Sequence, residues 1–136
     1  MRMLISGCGS MGKRRARCLR QLGFDDIAAA DPRDERRAEA VAHSDVTPYP
    51  DLEQALEHGA DFALICTPPH LHALQLLQCI RAGVPAFCEA PMCLTLEDAD
   101  AVIATAKDKS VFIAPSCTYL NNPLHQRIKQ WLDEET

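Results

Sequence analysis

Six short apolar runs punctuate the chain, and each leads into a stretch of helical periodicity or a loop before one. They fall at 2–6, 27–31, 46–48, 62–66, 86–89 and 111–115, with helices predicted over 11–22, 34–43, 51–58, 71–82, 95–108 and 123–133. No two-residue hairpin signal joins neighbouring runs, so the strands must pair in parallel through crossovers. Helices then cover both sheet faces, which makes the fold α/β: a doubly wound parallel sheet of about six strands, expected in the order 3-2-1-4-5-6. The run 62–66 is apolar throughout, as a strand buried on both faces should be. Asp51 with Gln54, and Thr95 with Asp98, have the spacing of helix N-caps. The spacing predicts apolar stripes of Leu74, Leu77 and Ile80 on one helix, and of Ala99, Val102, Ile103 and Ala106 on the next.

The 136 residues suit one domain, 1–136, with no second domain in this chain. No apolar run approaches the roughly 18–20 residues of a membrane span, and the first residues are too short and polar for a signal peptide. The formal net charge of −5 argues against nucleic acid as a partner. Seven cysteines, an odd number without Cys-x-x-Cys or zinc-finger spacing, fit free thiols in a reducing cytoplasmic compartment. Cys8, Cys66, Cys88 and Cys117 each end or follow a strand. They read as small fillers where backbone approaches closely, and no metal site is expected.

In a doubly wound sheet, ligands sit at the carboxyl ends of the strands where the order reverses. Gly7-Cys8-Gly9-Ser10-Met11-Gly12 occupies that place between the first strand and its helix, as Gly-x-Gly-x-x-Gly. The first glycine permits a tight turn, the second admits a pyrophosphate to the backbone, and the third lets helix pack on strand. Asp31 follows Gly12 by 19 residues at the end of the second strand, where a carboxylate accepts hydrogen bonds from adenosine ribose hydroxyls. This pattern is the dinucleotide-binding fingerprint of a Rossmann fold. Asp31 would repel a 2′-phosphate and favours NAD over NADP, whereas Arg33 offers either a stacking plane for adenine or a cation for that phosphate. Arg14, Arg15 and Arg17 read as a solvated helix face. An S-adenosylmethionine site shares the glycine loop and the acid, but not the segments that follow.

Those segments are Cys66-Thr67-Pro68-Pro69-His70-Leu71-His72 after the fourth strand and Cys88-Glu89-Ala90-Pro91 after the fifth. With the glycine loop, they resemble the N-terminal domain of the glucose-fructose oxidoreductase / inositol dehydrogenase / rhizopine catabolism (Gfo/Idh/MocA) family across essentially the whole chain. The resemblance implies that Thr67, Pro68, His72 and Glu89 approach the nicotinamide half of the cofactor, and Cys66 at the strand end joins the cofactor-binding set; a core or capping histidine is the other reading of His72. A carboxylate such as Glu89 at the end of a buried strand requires a polar partner. The family's Glu-Lys-Pro is Glu89-Ala90-Pro91 here, so the lysine that assists proton transfer or orients substrate is an alanine. Lys107 and Lys109 precede the sixth strand and do not replace it. Family members also carry a larger substrate-binding domain. The expectation is therefore an oxidoreductase-like NAD(P)-binding domain with no catalytic residue assigned and little turnover by this chain alone. The alternative is a non-enzymatic nucleotide-sensing or interaction module. Asp133, Glu134 and Glu135 crowd negative charge at a helix C-terminus, which should fray. Apolar surface near the sixth strand is expected to lack cover, which suggests a homodimer.

Overall fold

The computed structural model describes residues 1–134. Six strands alternate with helices: β1 (Met3–Ser6), α1 (Ser10–Gln21), β2 (Ile27–Ala30), α2 (Asp34–Ser44), β3 (Thr47–Tyr49), α3 (Leu52–Glu57) and β4 (Phe62–Ile65). A 3-10 turn at Pro69–Leu71 leads into α4 (His72–Arg81), followed by β5 (Ala86–Cys88), α5 (Leu96–Lys109), β6 (Ile113–Pro115) and α6 (Pro123–Glu134). The sheet runs β3-β2-β1-β4-β5-β6 with parallel pairing throughout, the order that the connectivity implied.

Register aligns the carboxyl ends. Ser6 stands beside Ala30 and Ile65, Ile65 beside Cys88, and Cys88 beside Pro115. The ladder continues one residue past these ends, with Gly7 N–H donating to Ala30 O (2.7 Å), Cys66 to Ser6 O (2.7 Å) and Glu89 to Ile65 O (3.0 Å). Gly7, Asp31, Cys66 and Glu89 therefore form a row along one edge.

Side chains alternate across the sheet as the pleat demands. Met3, Ile5, Ile27, Ala29 and Leu64 pack with Ala16 and Leu19 of α1 and Ala40 of α2. Leu4, Ala28, Ala30, Ile65 and Cys88 face the other way, onto α3, α4 and α5. Asp51 caps α3 by accepting the Gln54 N–H at 2.8 Å, and the Gln54 amide returns to the same carboxylate rather than to the Asp51 backbone. Thr95 caps α5 through the Asp98 N–H at 3.0 Å.

Two predicted stripes are corrected. On α4 the buried residues are His72, Leu76, Cys79 and Ile80, while Leu74 is 56% exposed. Two residues on from the buried His72, about 200° round the helix, Leu74 faces away from the core, whereas Leu77 packs against it in part. On α5, Val102 and Ala106 are buried, but Ile103 is 41% exposed at the margin of the sheet. None of the described α6 residues is buried, and Leu124, Ile128 and Trp131 present apolar surface, as does Phe112 before β6. Glu135 and the terminal carboxylate of the expected fraying end lie outside the described residues. Among the described residues no helix is long and apolar enough to cross a membrane.

The corrected stripe predicts unequal effects along α4. Leu76→Ala should cost about 2–5 kcal/mol in urea unfolding. Leu74→Ala should stay within about 0.5 kcal/mol of the parent.

Candidate functional site

The glycine loop has its shape for steric reasons. Gly7 has φ +95°, and a Cβ there would lie 2.9 Å from the Cys66 carbonyl carbon, the Cys66 carbonyl oxygen and the Thr67 nitrogen. A Cβ on Gly12 would fall 1.8 Å from the Gly7 carbonyl oxygen. The loop thus brings α1 against β1, and β1 against the exit of β4, closer than any side chain permits.

The N–H groups of Gly9, Ser10, Met11 and Gly12 have no acceptor among the described residues, and no acid stands in the first turn of α1. These are the orphan donors of a helix N-terminus, where partial positive charge favours an anion. Cys8 differs from the expectation, because its N–H already donates to Asp31 Oδ2 at 2.9 Å and its side chain is buried. It anchors the loop to the end of β2.

Asp31 is 3% exposed. Its Oδ1 accepts from the Arg33 N–H at 3.0 Å and from Arg33 Nε at 3.3 Å. Burial pushes its carboxyl up, but the backbone N–H groups of Arg33 and Cys8 and the Arg33 guanidinium outweigh burial and hold it below the ordinary carboxylate value. Four lone-pair directions and three internal donors leave acceptor capacity for a further hydroxyl.

A cleft of about 250 Å³ opens between Asp31, Pro32 and Arg33 on one side and Thr67, Pro68 and Leu71 on the other, with Gly7 and Gly9 at its floor. Arg36 also lines it, with Nη1 3.2 Å from the position of a Gly9 Cβ. Sequence reasoning missed Arg36, although Arg33-x-x-Arg36 spacing on a first helical turn places both on one side.

The structure divides the residues expected at the nicotinamide half. Thr67, Pro68 and Cys66 wall the Asp31 cleft. Glu89 lines a separate hollow of about 300 Å³ with Met11, Arg14, Arg15, Ser116 and Thr118. Its Oε1 accepts from Arg15 Nε at 2.7 Å and pairs with Nη2 at 2.5 Å, and the guanidinium lies 5.3 Å from the centre of the Phe87 ring. Arg15 is therefore no solvated helix residue. Its partner stands 74 positions away, where no local spacing signals it.

His72 does not line the cleft. It is 1% exposed, with Nδ1 2.8 Å from Pro91 O and Nε2 2.7 Å from Thr67 O. A neutral ring has one N–H, which donates to one of these two carbonyls. Three residues on, Gln75 Oε1 accepts from Thr67 Oγ1 at 2.7 Å and from Ser6 Oγ at 3.1 Å.

Burial, then the Asp31 carboxylate, pushes the Cys8 thiol up to about 11, and burial, then Glu89, pushes Cys66 up to about 12. Cys88 is likewise raised to about 12, chiefly by burial. These thiols are poor nucleophiles, and no cluster of three or more His, Cys, Asp or Glu among the described residues could hold a metal. A larger hollow of about 500 Å³ between Glu53, Glu57, Gln78 and Arg81 lies at the C-terminal ends of α3 and α4, away from the strand carboxyl edge.

Two outcomes follow from this geometry. Gly12→Ala should destabilise the domain by upward of about 3 kcal/mol, or prevent folding, because the clash is with backbone. Asp31 has a depressed folded-state value, so its stabilisation is present above about pH 4 and is lost as pH falls through the folded value. Asp31→Asn should accordingly shrink the difference between urea midpoints at pH 7 and pH 3. An unchanged difference would contradict the assignment.

Comparison with known proteins places the chain in a family. The family model described as "Oxidoreductase family, NAD-binding Rossmann fold" matches residues 1–116. The 4-carboxy-2-hydroxymuconate-6-semialdehyde dehydrogenase of Sphingobium sp. is 29% identical over 135 residues, covering 94% of this chain and 42% of that protein. The myo-inositol 2-dehydrogenase of Thermotoga maritima is 30% identical over 118 residues, covering 83% and 35%. The WlbA dehydrogenase from Bordetella pertussis, solved with NADH and UDP-GlcNAcA, has a TM-score of 0.90 at 25% identity, covering 98% of this chain and 41% of that one. A variant of a 3-ketoreductase from Actinomadura kijaniata, solved with TDP-benzene and NADP, has a TM-score of 0.85 at 25% identity, covering 98% and 44%. The chain spans about two fifths of the length of such relatives. By the glycine loop, the sheet order and this match, the chain belongs to the Gfo/Idh/MocA oxidoreductase family, as an NAD(P)-binding Rossmann domain.

Proposed function

We propose that the chain binds a nicotinamide dinucleotide along the carboxyl edge of its sheet, with NAD preferred over NADP. The observation that carries this reading is the set of four unpaired N–H groups, Gly9 to Gly12, beside the buried Asp31 carboxylate. The diphosphate takes those amides, the adenosine ribose takes the remaining acceptor capacity of Asp31, and adenine enters between Arg33 and Pro68. The sheet order then carries the nicotinamide half across β4 towards Glu89. When bound, the cofactor supplies hydride transfer.

The chain's own residues do the seating. Arg15 fixes the Glu89 side chain by direct pairing through Oε1. Ala90 is exposed and offers only a methyl group, and Arg15 cannot release a proton at working pH. General acid–base help is typically worth about 10²–10⁴ in rate, so this domain by itself should turn over little or no substrate. A nucleotide-responsive binding module is the second reading, favoured by the exposed apolar faces of α6 and Phe112, on which a homodimer would form.

Calorimetric titration with NADH and NADPH tests the reading. NADH should bind more tightly than NADPH, and Asp31→Ala should weaken NADH about tenfold or more, the loss of a hydrogen bond to a charged group. Absence of affinity for either dinucleotide would remove the proposal.

A further inference from the structure

The first turn of α4 carries two polar side chains that the seating of a dinucleotide does not use directly. His72 and Gln75 lie three residues apart on one helix face, and that face turns inward onto the sheet edge. Gln75 joins the end of β1, through Ser6 Oγ, to the exit of β4, through Thr67 Oγ1. His72 joins the same Thr67, through its carbonyl, to the Pro91 carbonyl two residues beyond Glu89. Three neighbouring strand exits, those of β1, β4 and β5, are thus linked through these two side chains by polar contacts of 2.7–3.1 Å. Thr67 is held at its hydroxyl and at its carbonyl, so neither the rotation of its side chain nor the tilt of its peptide is free.

This arrangement has a directional consequence. Thr67 walls the cleft of Asp31, whereas Pro91 belongs to the segment carrying Glu89. Among the described residues, His72 is the polar side chain that touches both segments, beside the backbone bond from Glu89 N–H to Ile65 O. The His72 ring is nine-tenths buried and more, so water does not replace it.

We propose that His72 and Gln75 are positioning residues that hold the carboxyl edge as one surface, so that the adenosine and nicotinamide halves of a dinucleotide bind cooperatively. The inference rests on the dinucleotide reading above. It concerns the free-energy coupling between the halves of the site, which contact with the cofactor alone does not supply.

The test compares NADH with ADP-ribose, which lacks the nicotinamide, in the parent chain, Gln75→Leu, Gln75→Glu and His72→Asn. In the parent, NADH binds more tightly than ADP-ribose. Gln75→Leu should cut that ratio about fivefold, in the range of coupling through packed networks, while ADP-ribose affinity changes less. Gln75→Glu keeps an oxygen that accepts both hydroxyls and should restore the ratio. His72→Asn should reduce it as Gln75→Leu does, with circular dichroism verifying that each variant folds. If His72→Asn does not fold, the two Gln75 variants decide the matter by themselves. A uniform weakening of both ligands, an unchanged ratio, or Gln75→Glu behaving like Gln75→Leu would overturn the proposal. Failure of the parent to bind either ligand would instead remove the dinucleotide reading itself.

Discussion

The Gly12 Cα seated against the Gly7 carbonyl is the contact on which the architecture depends. With 1.8 Å between that oxygen and any Cβ, only glycine lets α1 begin directly over β1. The start of α1 consequently stands at the sheet edge with its unpaired amides outward, instead of being displaced into solvent. Gly7 makes a second close approach, to the Cys66–Thr67 peptide, which sets the separation of β1 from the β4 exit. The Asp31 carboxylate closes the third side by receiving the Cys8 N–H. The loop is therefore shaped by sterics and by one buried acid, independently of any ligand, and an anion meets donors already aimed.

Polarity along the edge is managed by the protein's own groups. A buried carboxylate needs donors, and Asp31 finds two backbone amides and a guanidinium within its own loop system. Glu89 finds Arg15, whose guanidinium also lies over the Phe87 ring. The buried imidazole and the Gln75 amide face hydroxyls and carbonyls of the strand exits. Burial without these partners would cost more than the apolar packing nearby returns. The same economy explains why thiols line the edge: Cys8, Cys66 and Cys88 fill space beside backbone and stay protonated.

Legibility tracked the range of the interaction. Strand and helix positions, the two side-chain caps, the turn at Gly7 and the close packing at Gly12 depend mostly on neighbours a few residues away, and these readings agree with the structure. The α4 stripe held at Ile80 and at Leu77, which packs against the core, but not at Leu74, whose place on the inner face is taken by Leu76 and Cys79. His72 read either as a neighbour of the cofactor or as a core or capping histidine, and its burial fits the second. Arg15 and Glu89 each looked unremarkable, and only their meeting across the sheet edge gives them a function.

The sequence by itself determined the parallel sheet, its strand order and the glycine loop, because periodicity, turn chemistry and the handedness of crossovers are local or topological rules. The tertiary structure alone decided which polar side chains meet at the edge. Strand register places residues such as Arg15 and Glu89, or Gln75 and Ser6, within hydrogen-bonding distance, and register arises from the packing of all six strands together rather than from the spacing of any two residues.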